Sequence, residues 1–165
     1  MIRRALVIRA GVAADDEGIW RVIEPMIRAG ETYPLPRDLA KAAALAYWHS
    51  PGHAVFVAEH DGAIAGTYYL RANNQGGGAH VANCGYVVAP TATGRGIARA
   101  MCEHSVAEAR ASGFRAMQFN FVISCNAAAV HLWQSCGFEI VGRLPQAFEH
   151  PRLGPVDAFV MWRAL

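Results

Sequence analysis

The spacing of apolar residues in the first part of the chain predicts a strand followed by a helix. Ala5–Arg9 has the alternation of a short strand. Asp15 and Asp16 come next, and they suit the N-terminal cap and acidic first turn of a helix. Gly30 is expected to end this helix. The apolar residues of this helix recur at helical spacing: Ile19, Val22, Ile23, Met26 and Ile27.

The middle of the chain changes from helical to strand patterning. A second helix is predicted over Leu39–Trp48, with Asp38 as its cap. Val55–Glu59 and Ala63–Leu70 are then rich in β-forming residues. Asp61–Gly62 separates the two runs and is the strongest hairpin signal in the sequence. An antiparallel meander is therefore predicted to begin here.

A glycine-rich stretch over Asn73–Gly78 separates this hairpin from the next predicted strand, Ala79–Val88. Gly94–Ser112 has apolar residues in two adjacent helical rows and predicts a long helix. Gly113 follows as a suitable C-terminal cap.

The last part of the chain predicts a strand, a helix and two closing strands. These are Ala116–Val122, Asn126–Ser135, Glu139–Gly142 and Ala158–Trp162. The full order is β-α-α-β-β-β-α-β-α-β-β, which predicts an α/β fold with a sheet of mixed direction.

Composition narrows the class of protein. The chain has 165 residues, 53% hydrophobic and 17% charged, which favours one domain over residues 1–165. The net charge is +2, and the scattered Arg residues give no support for a nucleic-acid partner. No segment has the length of a signal sequence or a membrane span. Cys84, Cys102, Cys125 and Cys136 form no CxxC pair and are expected to be buried reduced thiols. A cytoplasmic protein without a membrane partner is predicted.

Histidines offer no metal pair. His49 and His53 stand at helical spacing, but Pro51 lies between them and prevents a helix that carries both. They are predicted to be surface imidazoles in a turn, and no metal is expected.

The candidate chemistry begins where the strand that contains Val87 and Val88 ends. Thr93, Gly94, Arg95, Gly96, Ile97 and Ala98 then form a glycine-rich turn at the start of a helix. Unpaired N–H groups at a helix N-terminus bind anions, and glycine lets a phosphate approach the backbone closely. An ordinary glycine-rich turn is the alternative, and Arg95 favours the anion site.

A second motif lies downstream, where a helix begins at Asn126 and ends before Gly137–Phe138. Together with the glycine-rich turn, this order resembles the GCN5-related N-acetyltransferase superfamily over nearly the whole chain. That resemblance implies a mostly antiparallel sheet flanked by helices. It also implies that Thr93–Ala98 holds the pyrophosphate of acetyl-coenzyme A, that Val87 and Val88 pair with its pantetheine, and that Asn126 touches the coenzyme.

The chain departs from that family at two positions. Thr93 stands where Arg or Gln is usual, so that one side-chain contact to phosphate is lost. Trp133 stands where a Tyr often protonates the departing thiolate, and an indole cannot serve as an acid. We expect Trp133 to act in packing.

A closer resemblance is carried by Ala79–Val88, Phe119–Val122 and Asn126–Phe138. These segments are similar to the azetidine-2-carboxylate N-acetyltransferases, which acetylate a proline analogue. The resemblance implies that Asn83 and Asn120 lie at the acceptor site, with Asn83 as the catalytic candidate. Cross-strand hydrogen bonding is the alternative role for both amides.

Tyr33, on the loop between the first two helices, is a further candidate for covering the acceptor pocket, and the sequence alone favours the alternative of an ordinary packed loop aromatic. The predicted reaction is direct attack of a small-molecule amine on the thioester, whose carbonyl oxygen is held by backbone N–H groups near Val87 and Val88. A protein or drug-like amine as acceptor and a non-catalytic acyl-coenzyme A-binding module stay open. So does the assembly state, including a homodimer.

Overall fold

A computed structural model describes residues 5–165. Within these residues seven strands form one sheet: β1 Val7–Ala10, β2 Ala54–His60, β3 Ala63–Ala72, β4 Val81–Val88, β5 Ala116–Ile123, β6 Glu139–His150 and β7 Gly154–Ala164. In the same described part of the chain, four α-helices flank the sheet: α1 Asp16–Ala29, α2 Lys41–Trp48, α3 Ile97–Ala111 and α4 Ala127–Ser135. The predicted order of strands and helices is confirmed.

The sheet is mixed, and its strands run in the order β1-β2-β3-β4-β5-β7-β6. Every neighbouring pair is antiparallel except β4 and β5, which are parallel. Those two strands pair only at Val81 with Ala116 and at Ala82 with Met117. Beyond these positions they separate, so that the sheet opens at its centre.

Helix α1 follows its predicted pattern. Ile19, Val22, Ile23 and Ile27 are almost completely buried, and Gly30 ends the helix in the left-handed conformation with φ of 65°. Asp15 occupies the N-cap position of α1 as predicted, but its side chain makes no capping hydrogen bond to that helix. Its carboxylate accepts from the backbone N–H of Val12 at 2.8 Å and from the Arg9 guanidinium at 2.8 and 2.9 Å, so it links α1 to β1.

Two other helix starts differ from the prediction. Helix α2 begins at Lys41 after Ala40, so Asp38 does not cap it. Helix α3 begins at Ile97 because Gly94 and Gly96 both have φ of 78°, which a right-handed helix does not allow. The glycine-rich turn is therefore longer than the sequence suggested.

The two closing strands are much longer than predicted. Strand β6 continues through Pro145, where the register to β7 shifts between Leu144 and Phe148. In this bulge Gln146 has φ of 49°, and its N–H donates to Asp157 on β7 at 2.9 Å. The bulge thus accommodates Pro145 and the positive φ of Gln146 within the strand. From the sequence alone, such residues predict that the strand ends.

Each face of the sheet has its own apolar core. One core packs α1 and α2 against β2 and β3, with Trp48 and Val57 at its centre, and the other packs α3 beneath Tyr68 and Met117. Cys84 and Cys102 are buried in the second core, but Cys125 is exposed and Cys136 is half-buried. The expectation that all four thiols are buried is therefore wrong.

Candidate active site

The separation of β4 and β5 forms a cavity of about 780 Å³ that reaches both faces of the sheet. It begins directly after the last paired residues, Ala82 and Met117. At that point the Asn83 side-chain amide donates to the backbone carbonyl of Gln118 at 3.0 Å. Asn83 therefore bridges the two strands where the main-chain ladder between them ends.

The register of β4 decides which of its backbone groups face the opening. Ala89 N–H donates to Ala65 at 2.8 Å, and Asn73 N–H donates to Val81 at 2.8 Å. In an antiparallel pair, every second residue of a strand exchanges hydrogen bonds with the facing strand. Val81 and Ala89 are such residues, so Val87, two residues before Ala89, also directs its backbone groups to β3, where it faces Thr67. The N–H groups of Tyr86 and Val88 consequently point towards β5, into the opening.

The glycine-rich turn lies at the edge of this opening and has the features of an anion cradle. Within residues 5–165, none of the backbone N–H groups from Thr93 to Arg99 donates to another part of the chain. A Cβ placed on Gly94 or Gly96 would have no protein atom within 4 Å. These glycines are therefore required by their positive φ, and the space above them is open to a ligand.

The residues of the turn differ in what their side chains bring to the site. Thr93 lines the cavity, and its hydroxyl donates to the Pro90 carbonyl at 3.2 Å. Arg95 is exposed, so its guanidinium is available to an anion. Ile97 is buried in the core and Ala98 is half-buried, so they bring backbone N–H groups and no polar side chain to the site.

Asn126 and Trp133 line the same side of the cavity. The Asn126 side-chain oxygen accepts from Ala129 N–H at 3.3 Å and caps α4, which the sequence predicted as the start of that helix. Trp133 is half-buried, and its ring packs on Tyr86 and Phe119 with centroids at 4.9 and 5.2 Å. It serves as an aromatic wall at the side of the cavity.

The opposite end of the cavity is an aromatic chamber beneath α1 and α2, lined by Tyr33, Tyr47 and Tyr69. Tyr33 donates its hydroxyl to the backbone carbonyl of Tyr86 at 3.0 Å, which holds the loop after α1 against β4. His53, predicted as a surface imidazole, is half-buried and stacks on Tyr69 with centroids at 4.2 Å. It therefore supports the Tyr69 wall of the chamber.

Amide side chains and one arginine form the floor of this aromatic chamber. The Arg71 Nε donates to the Asn83 side-chain oxygen at 3.1 Å. Asn120 donates to the Asn73 side-chain oxygen at 2.6 Å and accepts from the Gln118 amide at 2.9 Å. Both amides predicted at the acceptor site thus line the cavity, and both also make the cross-strand contacts that were the alternative.

Burial keeps three ionisable groups around the cavity uncharged, and an ion pair holds a fourth. Burial raises the pKa of Tyr33 and of Tyr69 well above its usual value, and burial raises the pKa of the Cys84 thiol to about 12. Among the described residues that line the cavity, Glu31 is the one carboxylate, and it forms an ion pair with Arg152 at 2.8 Å. None of these described side chains is arranged as a strong base.

Sequence reasoning missed Arg71, Tyr47, Tyr69 and Gly85, all of which line the cavity. The predicted strand stopped at Leu70, one residue before Arg71. The alternation of Tyr69 and Arg71 with buried neighbours was an available signal for a shared face. Their contact with Asn83 depends on the register between β3 and β4, which the sequence does not reveal.

Among residues 5–165, no group of three or more His, Cys, Asp or Glu side chains is arranged to hold a metal ion. None of the described helices is long and apolar enough to cross a membrane.

The row of unpaired N–H groups at the start of α3 suits an anionic group such as a phosphate, and the same cavity continues from there to the chamber lined by tyrosines and amides. The family model described as the acetyltransferase (GNAT) family matches residues 20–138. This chain belongs to the GNAT acetyltransferase family.

Relatives of known structure agree with this assignment. A GCN5-related N-acetyltransferase from Kribbella flavida is 40% identical, with 98% of each chain covered and a TM-score of 0.92. The yncA protein of Salmonella typhimurium, solved with its cofactor acetyl-CoA, shares the fold. It is 23% identical over 98% of this chain and 95% of that one, with a TM-score of 0.85.

Sequence comparison also finds the N-acetyltransferase aca1 of Schizosaccharomyces pombe. It is 29% identical over 98 residues, which are 59% of this chain and 47% of that protein. This chain therefore spans about half the length of that curated relative.

Proposed function

We propose that this chain transfers the acetyl group of acetyl-coenzyme A to the amine of a small acceptor, an amino acid or an analogue such as azetidine-2-carboxylate. The observation that carries the proposal is the cavity between β4 and β5. It connects the row of unpaired N–H groups to a chamber lined by tyrosines, amides and Arg71. The single sheet from Val7 to Ala164 supports one acetyltransferase domain over residues 1–165.

The coenzyme is assigned to the glycine-rich turn. The N–H groups of Thr93–Arg99 bind its pyrophosphate, and the Arg95 guanidinium adds the side-chain charge that Thr93 lacks. Asn126 contacts the coenzyme through its amide nitrogen, because its oxygen already caps α4. Strand β4 around Val87 and Val88 holds the pantetheine arm.

The thioester carbonyl is polarised by backbone N–H groups of β4. The sequence placed these donors near Val87 and Val88, and the register favours Val88 and Tyr86, whose N–H groups face the opening. Preorganised donors of this kind stabilise the negative charge that develops on the carbonyl oxygen. The hydrogen bond from Tyr33 to the Tyr86 carbonyl holds this part of the strand in place.

The reaction is direct attack by the acceptor nitrogen in its neutral form. The nitrogen–carbon bond forms, the carbon–sulfur bond breaks, and one amine proton is transferred through water to the departing thiolate. No base is required from the cavity, where Glu31 is paired with Arg152 and the Tyr33 and Tyr69 phenols keep their protons. A covalent enzyme intermediate is not needed.

Asn83 and Asn120 are assigned to the acceptor end. Each amide is fixed by protein hydrogen bonds, so its remaining donor or acceptor capacity has a defined direction. Asn83 was predicted as a catalytic residue. Its contacts with Arg71 and Gln118 favour a role in orienting the acceptor.

The aromatic chamber bears on the size of the acceptor. Tyr33, Tyr47 and Tyr69 line it, and Tyr33 is fixed to β4 by its hydrogen bond to the Tyr86 carbonyl. A protein substrate needs an open groove for the chain on both sides of its amine. A chamber of tyrosines supports a small molecule over a protein lysine or N-terminus.

Thiol release from acetyl-coenzyme A with a panel of amines tests the proposal. The panel contains azetidine-2-carboxylate, proline, an aminoglycoside and a peptide with a free N-terminal alanine. We expect turnover with the small amino acids and none with the peptide. Turnover with the peptide alone would establish a protein acceptor. Tight binding of coenzyme A without release from any amine would establish a binding module.

A further inference from the structure

We propose that Arg71 is the recognition site for the carboxylate of the acceptor, an inference that rests on the proposed function. Arg71 is half-buried on β3 and lines the cavity. Its Nε is held by the Asn83 oxygen at 3.1 Å. Among residues 5–165, its two terminal nitrogens have no hydrogen-bond or ion-pair partner.

The Arg71 guanidinium is half-buried and borders the cavity, where a group of opposite charge would make a strong charge-assisted contact. Among the described residues that line the cavity, Glu31 is the one carboxylate, and it is paired with Arg152. The terminal nitrogens of Arg71 are therefore available to an anionic group of the substrate.

The geometry of the contact with Asn83 leaves the guanidinium ready for a carboxylate. A guanidinium bound only through Nε keeps its two terminal nitrogens, which together match the two oxygens of a carboxylate. Asn83 is itself anchored to the Gln118 carbonyl. The side chain of Arg71 is thus oriented by a hydrogen-bonded chain that begins on β5.

Arg71 lies on the same cavity as the proposed reacting centre. It pairs in register with Asn83, and its guanidinium lies beside the Asn83 side chain. Tyr86 is three residues further along β4, about 10 Å at the rise of a strand, and lines the same cavity. A carboxylate bound by Arg71 therefore lies in the cavity with the proposed thioester site, on the side towards Asn83.

The test compares acceptors that differ only in the carboxylate: azetidine-2-carboxylate with azetidine, and proline with pyrrolidine. For Arg71→Gln we expect KM to rise about ten- to a hundredfold for the carboxylates, which is typical of a lost charged hydrogen-bonding partner. KM for azetidine and pyrrolidine should change less than about threefold. Arg71→Lys, which keeps the charge without the paired nitrogens, should give an intermediate KM.

Arg115→Gln is the matched control, because it removes the same charge from an exposed position outside the cavity. Its KM values should match those of the wild type. A second readout is calorimetric binding of azetidine-2-carboxylate in the presence of coenzyme A, which needs no turnover. Weaker binding by Arg71→Gln, with coenzyme affinity and melting temperature retained, supports the site.

Three outcomes overturn the inference: an equal rise in KM for both members of an acceptor pair, no change in KM, or unchanged binding of azetidine-2-carboxylate. The proposed function fails separately, if the wild type releases no thiol with any amine. If no thiol is released, calorimetry with azetidine-2-carboxylate still decides whether Arg71 binds a carboxylate. Absence of azetidine-2-carboxylate binding to the wild type would then overturn the assignment of Arg71 as well.

Discussion

The phenol of Tyr69 lies directly above Gly85, so that a Cβ on residue 85 would be 2.7 Å from the ring and from its hydroxyl. Tyr69 cannot move freely, because His53 stacks on one side and the Trp48 ring packs at 5.0 Å. Glycine in the middle of β4 is therefore explained by one aromatic side chain on β3. This pair sets the depth of the chamber assigned to the acceptor.

Gly85→Ala should displace the Tyr69 ring and deform the chamber. We expect unfolding free energy to fall by about 1–3 kcal/mol, as is usual for overpacking. KM for the amine should rise while coenzyme A affinity is retained. Gly142→Ala on β6 is the control, because its Cβ would meet only Val160 at 3.7 and 3.8 Å. Equal effects of the two substitutions on KM would contradict this explanation.

The glycine-rich turn is tested by Gly96→Asp against Gly113→Asp. The two glycines have φ of 78° and 85° with open space around them, so both substitutions should lower stability by a similar amount, about 1–3 kcal/mol. Only Gly96→Asp places a carboxylate where the pyrophosphate is assigned. Calorimetry should show coenzyme A affinity at least tenfold weaker for Gly96→Asp and unchanged for Gly113→Asp. Undiminished affinity in a folded Gly96→Asp variant would exclude the cradle.

Trp133 is predicted to act through packing. Trp133→Phe keeps an aromatic face towards Tyr86 and Phe119 and should retain most turnover. Trp133→Ala should lower stability by less than the roughly 3–5 kcal/mol of a fully buried aromatic, because the indole is half-buried. An inactive Trp133→Phe variant with normal coenzyme binding would show a chemical role for the indole N–H.

Features that depend on neighbours in the sequence were predictable. The apolar spacing of α1 and the glycine at its end identified that helix because both are local. The same is true of Asn126, which begins α4 by accepting from Ala129 three residues later. Gly94 and Gly96 were identified as a glycine-rich turn before a helix for the same reason, although their positive φ moved the start of α3 to Ile97.

Features that depend on distant partners were not predictable. The bulge in β6 is held by Asp157, eleven residues from Gln146 and on another strand. Arg71 meets Asn83 only because the connection between β3 and β4 sets their register. Asp15 suited a helix cap locally, but the Arg9 guanidinium is a stronger partner for its carboxylate.

A substitution at Asn83 tests whether this residue orients the acceptor or accepts its amine proton. Asn83→Asp places a carboxylate beside the Nε of Arg71, where it should compete with the carboxylate of the acceptor. We expect KM for azetidine-2-carboxylate to rise at least tenfold. The pH dependence of kcat should be unchanged, because the residue does not accept the amine proton. A new acidic limb in the kcat profile of Asn83→Asp would show that this position can act as a base.

Cys84 lines the cavity, and its thiol is the group that would carry the acetyl group if the reaction passed through an acyl-enzyme. Burial raises the pKa of its thiol from 9.0 to about 12, so the thiolate is negligible at neutral pH. Cys84→Ala should therefore keep its kcat. Mass spectrometry after incubation with acetyl-coenzyme A alone should find no acetyl group on the wild-type chain. An acetylated Cys84 that passes its acetyl group to added amine would replace direct attack with a two-step route.

The same shift in pKa predicts how stability depends on alkaline pH. A thiol whose pKa is higher in the folded state keeps its proton there longer, so its contribution is complete below pH 9.0. That contribution is lost as pH rises from 9.0 towards about 12, because the unfolded chain ionises first. In urea titrations the unfolding free energy of the wild type should fall more steeply over this range than that of Cys84→Ala. Parallel curves would show that the Cys84 thiol titrates normally and that its burial does not suppress the thiolate.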